Sequence, residues 1–269
     1  MDKQLQTYHY KGALQLESGK SIRDFPLAYT TIGNLNDKKD NVIWIFHAMT
    51  ANSDPSDWWS GMVGEGKFFD PQLYFIICIN MPGSCYGSVS PLSINPDSGL
   101  PYYQQFPFFT PLDMSKAYEQ LRNHLGIEKI YMGIGGSMGG QQLLAWACEQ
   151  PALFKHIVPI ATNAFHSPWG KAFNASQRMC IEADPTWQEK SPSAGMEGMK
   201  VARSIALISY RSYETYDKTQ QDNDKAIENT RSESYQKYQG EKLAKRFNAL
   251  SYYMLTKSMD SHHLGRGSM

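Results

Sequence analysis

GIGGSMGG, residues 133–140, places one hydroxyl, that of Ser137, among five glycines. An apolar run, KIYMGIG (129–135), leads into it, and a helix-spaced run, MGGQQLLAWACEQ (138–150), leaves it. A serine on such a turn stands at the carboxyl edge of a parallel sheet, where open α/β sheets bind ligands. Gly135 and Gly139 complete the G-x-S-x-G pattern of a nucleophile elbow, a turn too tight for larger neighbours. Gly136 and Gly140 are expected to let helix and strand pack closely. The helix that follows aims its unpaired N–H groups and its dipole at the serine, so a developing oxyanion is stabilised there. A phosphate loop is the competing interpretation. The stretch lacks the lysine of a Walker A loop, and Met138 stands where a dinucleotide fingerprint needs its third glycine.

Working outward, VIWIFH (42–47) and YFIICIN (74–80) read as strands buried on both faces, and HIVPIA (156–161) as one more strand. MSKAYEQLRNHL (114–125) puts Met114, Ala117, Tyr118, Leu121 and Leu125 on one helix face, with Gly126 as its stop. Strands alternating with helices predict an α/β protein with a doubly wound, mostly parallel sheet. Ahead of Val42, LQLESGKSI turns at Ser18-Gly19 into FPLAYTTIG, an antiparallel lead-in. Beyond about residue 165 charge, Gln and Tyr dominate, and no run reads as a buried strand. The expected division is a core over 1–165 and a helical lid region over 166–269, with the polar stretch 211–240 as a mobile helix or loop.

The 269 residues suffice for one large α/β domain with an insertion. Lys+Arg and Asp+Glu both number 26, without basic runs, so no nucleic-acid partner is expected. The apolar runs are strand-length, short of a membrane span, and the opening MDKQLQTYHYKG lacks the apolar centre of a signal peptide. Four cysteines without CxxC spacing read as reduced thiols of a cytoplasmic protein; Cys78 and Cys148, in apolar runs, are expected in the core.

A second oxyanion donor should come from the loop after an earlier strand. HAMTANSD (47–54) follows VIWIF, and the N–H of Met49 is expected to point inward beside that of Met138. His47 opens this loop. As a base it would be functional, but a histidine at a strand end more often shapes the loop by hydrogen bonding.

HAMTANSD, WWSGMVGEGKFFD (58–70), INMPGSCYGSVSP (79–91), SINPDSG (93–99) and GGSMGGQQLLAWACEQP (135–151) together resemble the homoserine O-acetyltransferases of the α/β-hydrolase fold, over about residues 10–267. The resemblance implies a ping-pong reaction: Ser137 takes an acetyl group from acetyl-CoA, a co-substrate with no further cofactor, and passes it to the hydroxyl of L-homoserine. It implies methionine biosynthesis and a homodimer formed through the lid helices. In ARSIALISYRS (202–212) it implies that Arg203 holds the amino-acid carboxylate with help from Tyr210. Arg211 is the alternative cation, and a solvated salt bridge the plainer role. FFTPLDM (108–114) departs from the family's pattern, with Pro111-Leu112 where Ile-Arg usually precedes the Asp. TANSD also lacks the glycine that usually follows the Thr. Both departures bear on acyl-donor preference.

This fold orders its triad as Ser, Asp, His along the chain. SMDSHHLGRGSM (258–269) resembles the family's segment at the end of the lid, after which strands bearing the Asp and His follow. The expectation is therefore an inactive fragment or truncation, lacking the last strands and leaving a sheet edge uncovered. Asp260, His262, His263, His124 and His156 lack the preceding buried strand a triad member needs. Two other functions stay open: a non-catalytic binding protein of the same fold, and an esterase-like hydrolase with water as acceptor.

Overall fold

A computed structural model describes residues 3–222 and 227–266. Two compact units emerge: residues up to His166 joined by the stretch from Ser261, and residues Ser167–Asp260.

The first unit is built on a six-stranded sheet in the order β1-β2-β4-β3-β5-β6. β1 (Lys3–Gln15) and β2 (Ser21–Ile32) form the antiparallel lead-in, turning through Gly19 at φ 80°. β2 runs antiparallel to β4 (Phe75–Ile79). From there β4, β3 (Val42–Phe46), β5 (Ile130–Gly136) and β6 (Phe154–Ile160) pair in parallel. All five residues of β3 are buried, and alternation along the strand divides them between two faces. Trp44 and Phe46 meet Trp146 at ring distances of 5.0 and 6.2 Å, with Tyr118 6.0 Å from both Phe46 and Trp146. Ile43 and Ile45 face the other way, into a cluster with Ile76, Cys78, Ile134, Val63 and Phe69. The first layer comes from α2 (Pro111–His124) and α3 (Met138–Glu149). The second comes from the loop that follows the short α1 (Pro55–Trp58).

α2 begins three residues before the apolar periodicity suggests. Thr110 accepts from Asp113 N at 3.1 Å while Asp113 Oδ2 accepts from Thr110 N at 3.1 Å, and Pro111 fills the first turn. This reciprocal cap satisfies two donors that a helix start leaves open. The departure at Pro111 is thus a helix-start device. Gly126, at φ 65°, ends the helix as expected. Cys78 is buried, but Cys148 is exposed, a correction to its expected core place. The buried positions of α3 end at Ala145 and Trp146, and Cys148 falls on the outer side of its last turn. β6 is exposed at five of its seven residues, unlike the other parallel strands.

In the second unit every described element is helical: α4 (Pro168–Glu182), α5 (Met196–Ser209), α6 (Tyr213–Gln220), α7 (Arg231–Ala244) and α8 (Ala249–Asp260). Much of the polar 211–240 stretch is thus ordered helix, apart from residues 223–226, which lie outside the described residues. Polar ties lock these helices together. Asp260 pairs with Arg178 at 2.7 Å and accepts from Asn174 at 2.8 Å, joining α8 to α4. Tyr252 Oη donates to Gln177 at 2.6 Å.

Candidate active site

Ser137 sits between the last residue of β5 and the first of α3, at φ 54° and ψ −122°. A non-glycine residue in this region is strained by about 1–3 kcal/mol and persists only where its surroundings enforce it. Three contacts supply that enforcement. Ser137 N donates to Ile160 O at 2.9 Å, fixing the turn to the end of β6, and Gln141 N donates back to Ser137 O at 3.2 Å. The third is close packing at the glycines. A Cβ on Gly135 would lie 2.6 Å from Gly139 C, and one on Gly140 2.6 Å from Thr162 Cγ2. A Cβ on Gly139 would run into the carbonyl of Phe46, at the end of β3. Gly136 differs from expectation: a Cβ there meets no neighbouring atom within 4 Å. Its side faces open space, so it contributes nothing to close packing.

The serine side chain is exposed and does not cap its own helix. Among the described residues its Oγ makes no hydrogen bond and is free for a ligand. α3 therefore starts without a polar cap, and the N–H of Met138, in its first turn, has no carbonyl one turn earlier to bond. Met49 lies in the turn just after β3, the strand whose end touches Gly139. Its side chain is buried, and no described acceptor takes its N–H. The elbow thus packs against the end of β3.

His47 is the loop shaper. Its Nδ1 donates to Ala48 O at 2.8 Å, and its Nε2 accepts from Met81 N at 3.1 Å. Both ring nitrogens are engaged, and burial pushes its pKa down to about 4 against the partial opposition of the Ala48 hydrogen bond. The neutral ring joins the loop after β3 to the loop after β4. Asn80 continues the brace: its side chain accepts from Ser53 N at 2.7 Å and donates to Tyr86 O at 2.7 Å. Sequence reasoning quoted Asn80 only as part of a motif. Its signal was position: a side-chain amide at a strand end, with one acceptor and two donors for loops on either side.

The remaining acid and base candidates hold structural posts. His262 Nε2 donates to Asn163 O at 2.8 Å, and burial lowers its pKa. With Leu264 N bonded to Ala164 O at 2.9 Å, it returns the chain to the segment after β6. His263 accepts from Gly265 N at 3.1 Å. His124 stacks on Tyr8 at 4.5 Å, and His156 packs against Tyr131 at 5.3 Å. Asp260 belongs to the second unit's ion pair with Arg178.

Within the second unit, Arg203 and Tyr210 do meet. The guanidinium lies 5.8 Å from the Tyr210 ring centroid, as a spacing of two helical turns allows. Arg203 Nε is buried without a hydrogen-bond partner, and Tyr210 is exposed. Arg211 donates from Nη2 to Tyr235 Oη at 2.8 Å.

Residues 41–253 match the family described as the alpha/beta hydrolase fold. A homoserine O-acetyltransferase of Cyclobacterium marinum is 50% identical over 260 residues, covering 97% of this chain and 74% of the relative. The X-ray crystal structure of homoserine O-acetyltransferase from Bacillus anthracis superposes with a TM-score of 0.91 at 24% identity, covering 99% of this chain and 78% of that one. A crystal structure of an acetylester hydrolase from Corynebacterium glutamicum reaches 0.84 at 27% identity, covering 98% and 74%.

Proposed function

The chain belongs to the homoserine O-acetyltransferases of the α/β-hydrolase fold, and on that premise we propose that Ser137 carries an acetyl group from acetyl-CoA to the side-chain hydroxyl of L-homoserine. The observation that carries this reading is the strained serine itself. Its exposed Oγ is unbonded, and its backbone is bent so that α3 starts directly behind it.

In the first half-reaction Ser137 Oγ attacks the thioester carbonyl and its proton passes to solvent water, from which the departing CoA sulfur is later protonated. The carbonyl oxygen gains negative charge, which the N–H groups of Met49 and Met138 stabilise. Collapse of the tetrahedral intermediate breaks the C–S bond, and CoA leaves as the thiol after taking up a proton. In the second half the homoserine hydroxyl attacks the acyl-serine, loses its proton and regenerates Ser137. Arg203 binds the homoserine carboxylate, with Tyr210 beside it. Among the described residues no histidine holds Ser137 Oγ. Turnover by these residues therefore rests on the oxyanion donors and positioning, a residual effect of about 10³–10⁴ over the uncatalysed reaction.

The reaction belongs to methionine biosynthesis. We place it in the cytoplasm, supported by four free cysteines. Among the described residues no helix is long and apolar enough to cross a membrane. Pairing of two copies through the lid helices is supported by Met179 and Val201, exposed on α4 and α5.

The test is mass spectrometry of the chain after incubation with acetyl-CoA, followed by a homoserine chase. The expected result is acetyl on Ser137, lost on the chase and missing in Ser137→Ala. Acetylation elsewhere, or equal labelling of the variant, defeats the proposal. The likeness to the acetylester hydrolase favours a second reading, in which water is the acceptor. Equal release of acetate with and without homoserine would establish it.

A further inference from the structure

The loop that leaves β3 crosses the carboxyl end of β4 to reach β2, and buried side chains pin it at both ends. At the far end Ser53 N donates to Asn80 Oδ1 at 2.7 Å, and Ser53 Oγ meets Thr30 Oγ1 of β2 at 2.9 Å. Thr30, Ser53 and Asn80 are all buried, so these bonds are shielded from competing water. At the near end stands His47, also buried. Between the two anchors Ala48–Ala51 make a tight turn, closed by Ala51 N donating to Ala48 O at 2.9 Å. Such a turn leaves the N–H of its second residue, here Met49, outside its own hydrogen bond.

The Ala48 carbonyl is the point on which this turn is fixed. It takes the Ala51 N–H on one lone pair and His47 Nδ1–H, at 2.8 Å, on the other. The neutral ring donates from Nδ1 because its Nε2 accepts from Met81 N at 3.1 Å. Ala48 C=O and Met49 N–H belong to one peptide group. That group is planar and trans, so the two point in opposite directions. Donors that fix the carbonyl therefore fix the N–H as well. The strand end that carries this turn lies against the elbow: a Cβ on Gly139, next to Met138, would come 2.9 Å from His47 O.

We propose that His47 is a positioning residue for acyl transfer: through the Ala48 carbonyl it aims the Met49 N–H at the oxygen that gains charge. The inference rests on the acyl-transfer reading above, in which the Met49 N–H is one of two oxyanion donors. His47 itself touches no substrate and moves no proton. Without its Nδ1–H the Ala48–Met49 peptide keeps only the bond of its own turn. It then swings about the flanking single bonds and carries the donor off the oxyanion.

The test uses the whole chain and two esters with one leaving group, p-nitrophenyl acetate and p-nitrophenyl thionoacetate. Single-turnover acylation of Ser137 is followed by nitrophenol release. Sulfur accepts hydrogen bonds weakly, so well-aimed N–H groups favour the oxygen ester, and misplacing one lowers the oxygen-to-sulfur rate ratio. His47→Gln puts an amide where Nε2 lies. It still accepts from Met81 N but leaves Ala48 O without its second donor, and the ratio should fall about tenfold or more. His47→Asn puts the amide where Nδ1 lies and still donates to Ala48 O. It should lose stability for want of the Met81 bond yet keep the wild-type ratio. Thr30→Val breaks the far anchor at constant shape and should melt lower with the ratio unchanged. A ratio that falls alike in all three variants tracks destabilisation and overturns the proposal, as does an unchanged ratio in His47→Gln. Should His47→Gln not fold, His47→Asn still decides: a lowered ratio with the Ala48 donor kept overturns the proposal. A wild type whose Ser137 neither ester acylates, read by mass spectrometry, removes the acyl-transfer reading and this inference together. Acylation in the wild type with either contrary ratio removes this inference alone.

Discussion

Gly139→Ala perturbs the elbow without touching the nucleophile. The new methyl would lie 2.7 Å from Phe46 C and 2.9 Å from His47 O, with Phe46 O closer still. Ordinary contact begins at 3.4 Å, so the two backbones must part by at least the 0.7 Å between 2.7 and 3.4 Å. Neither neighbour can rotate away, because both are main chain. β3 is buried on both faces, so most of the displacement falls on α3 and carries the N–H of Met138 with it. Overpacking of this kind costs about 1–3 kcal/mol, or a fall in Tm of roughly 2–12 °C for a chain of this size. A misplacement approaching 1 Å at the reacting centre costs on the order of 10²-fold in rate. Thermal denaturation measures the first effect and the rate of Ser137 acetylation the second. Gly136→Ala is the control: its methyl meets nothing within 4 Å, so its cost should stay within about 0.5 kcal/mol. If the two variants behave alike, close packing at Gly139 does not set the elbow, and the reasoning fails.

Three further outcomes are expected. Ser137→Gly removes the strain of a left-handed φ and should raise stability by about 1 kcal/mol in urea titration while abolishing acetylation; a loss of stability would show that the turn is unstrained. His47 has a folded pKa of about 4 against 6.5 unfolded, so the unfolded chain binds the proton more tightly. Its contribution is complete above about pH 6.5 and drains as pH falls toward 4, by up to about 3 kcal/mol; His47→Gln should flatten the slope of stability between pH 7 and 5, and an unchanged slope would count against a buried neutral ring. Arg203→Ala should raise the homoserine KM about tenfold or more and leave acetyl-Ser137 formation intact, whereas equal loss in both half-reactions would remove the carboxylate role.

The parallel core was legible because its strands are short, wholly apolar runs between turn residues. VIWIF and YFIICIN admit little else. The elbow was legible because Ser137 sits where strand periodicity changes to helix periodicity. Less of β6 could be read: it starts at Phe154, and a strand exposed on most of its length lacks the apolar run that betrays its neighbours. The start of α2 was missed because apolar spacing begins at Met114, although Thr110-Pro111 with Asp113 spells a helix cap. Gly136 was misjudged because pattern alone cannot distinguish a glycine demanded by a neighbour from one facing open space. A hollow among four helices of the second unit lay beyond pattern reading. Its lining comes from four helices, and only packing brings Trp169, Tyr213 and Arg211 together.

The two outer strands of the described sheet are unlike, and the difference governs where a further strand can add. β1 presents Lys3 and Lys11 and breaks its ladder with a bulge between Tyr10 and Ala13, features that discourage a neighbouring strand. β6, the outermost described strand on the other side, presents Ile157 and Ile160, each 41% exposed. A strand added to this sheet, from whatever source, is therefore accepted beside β6 and refused beside β1. Ile157→Lys should weaken any such addition, read as reduced self-association in a light-scattering concentration series at unchanged Tm.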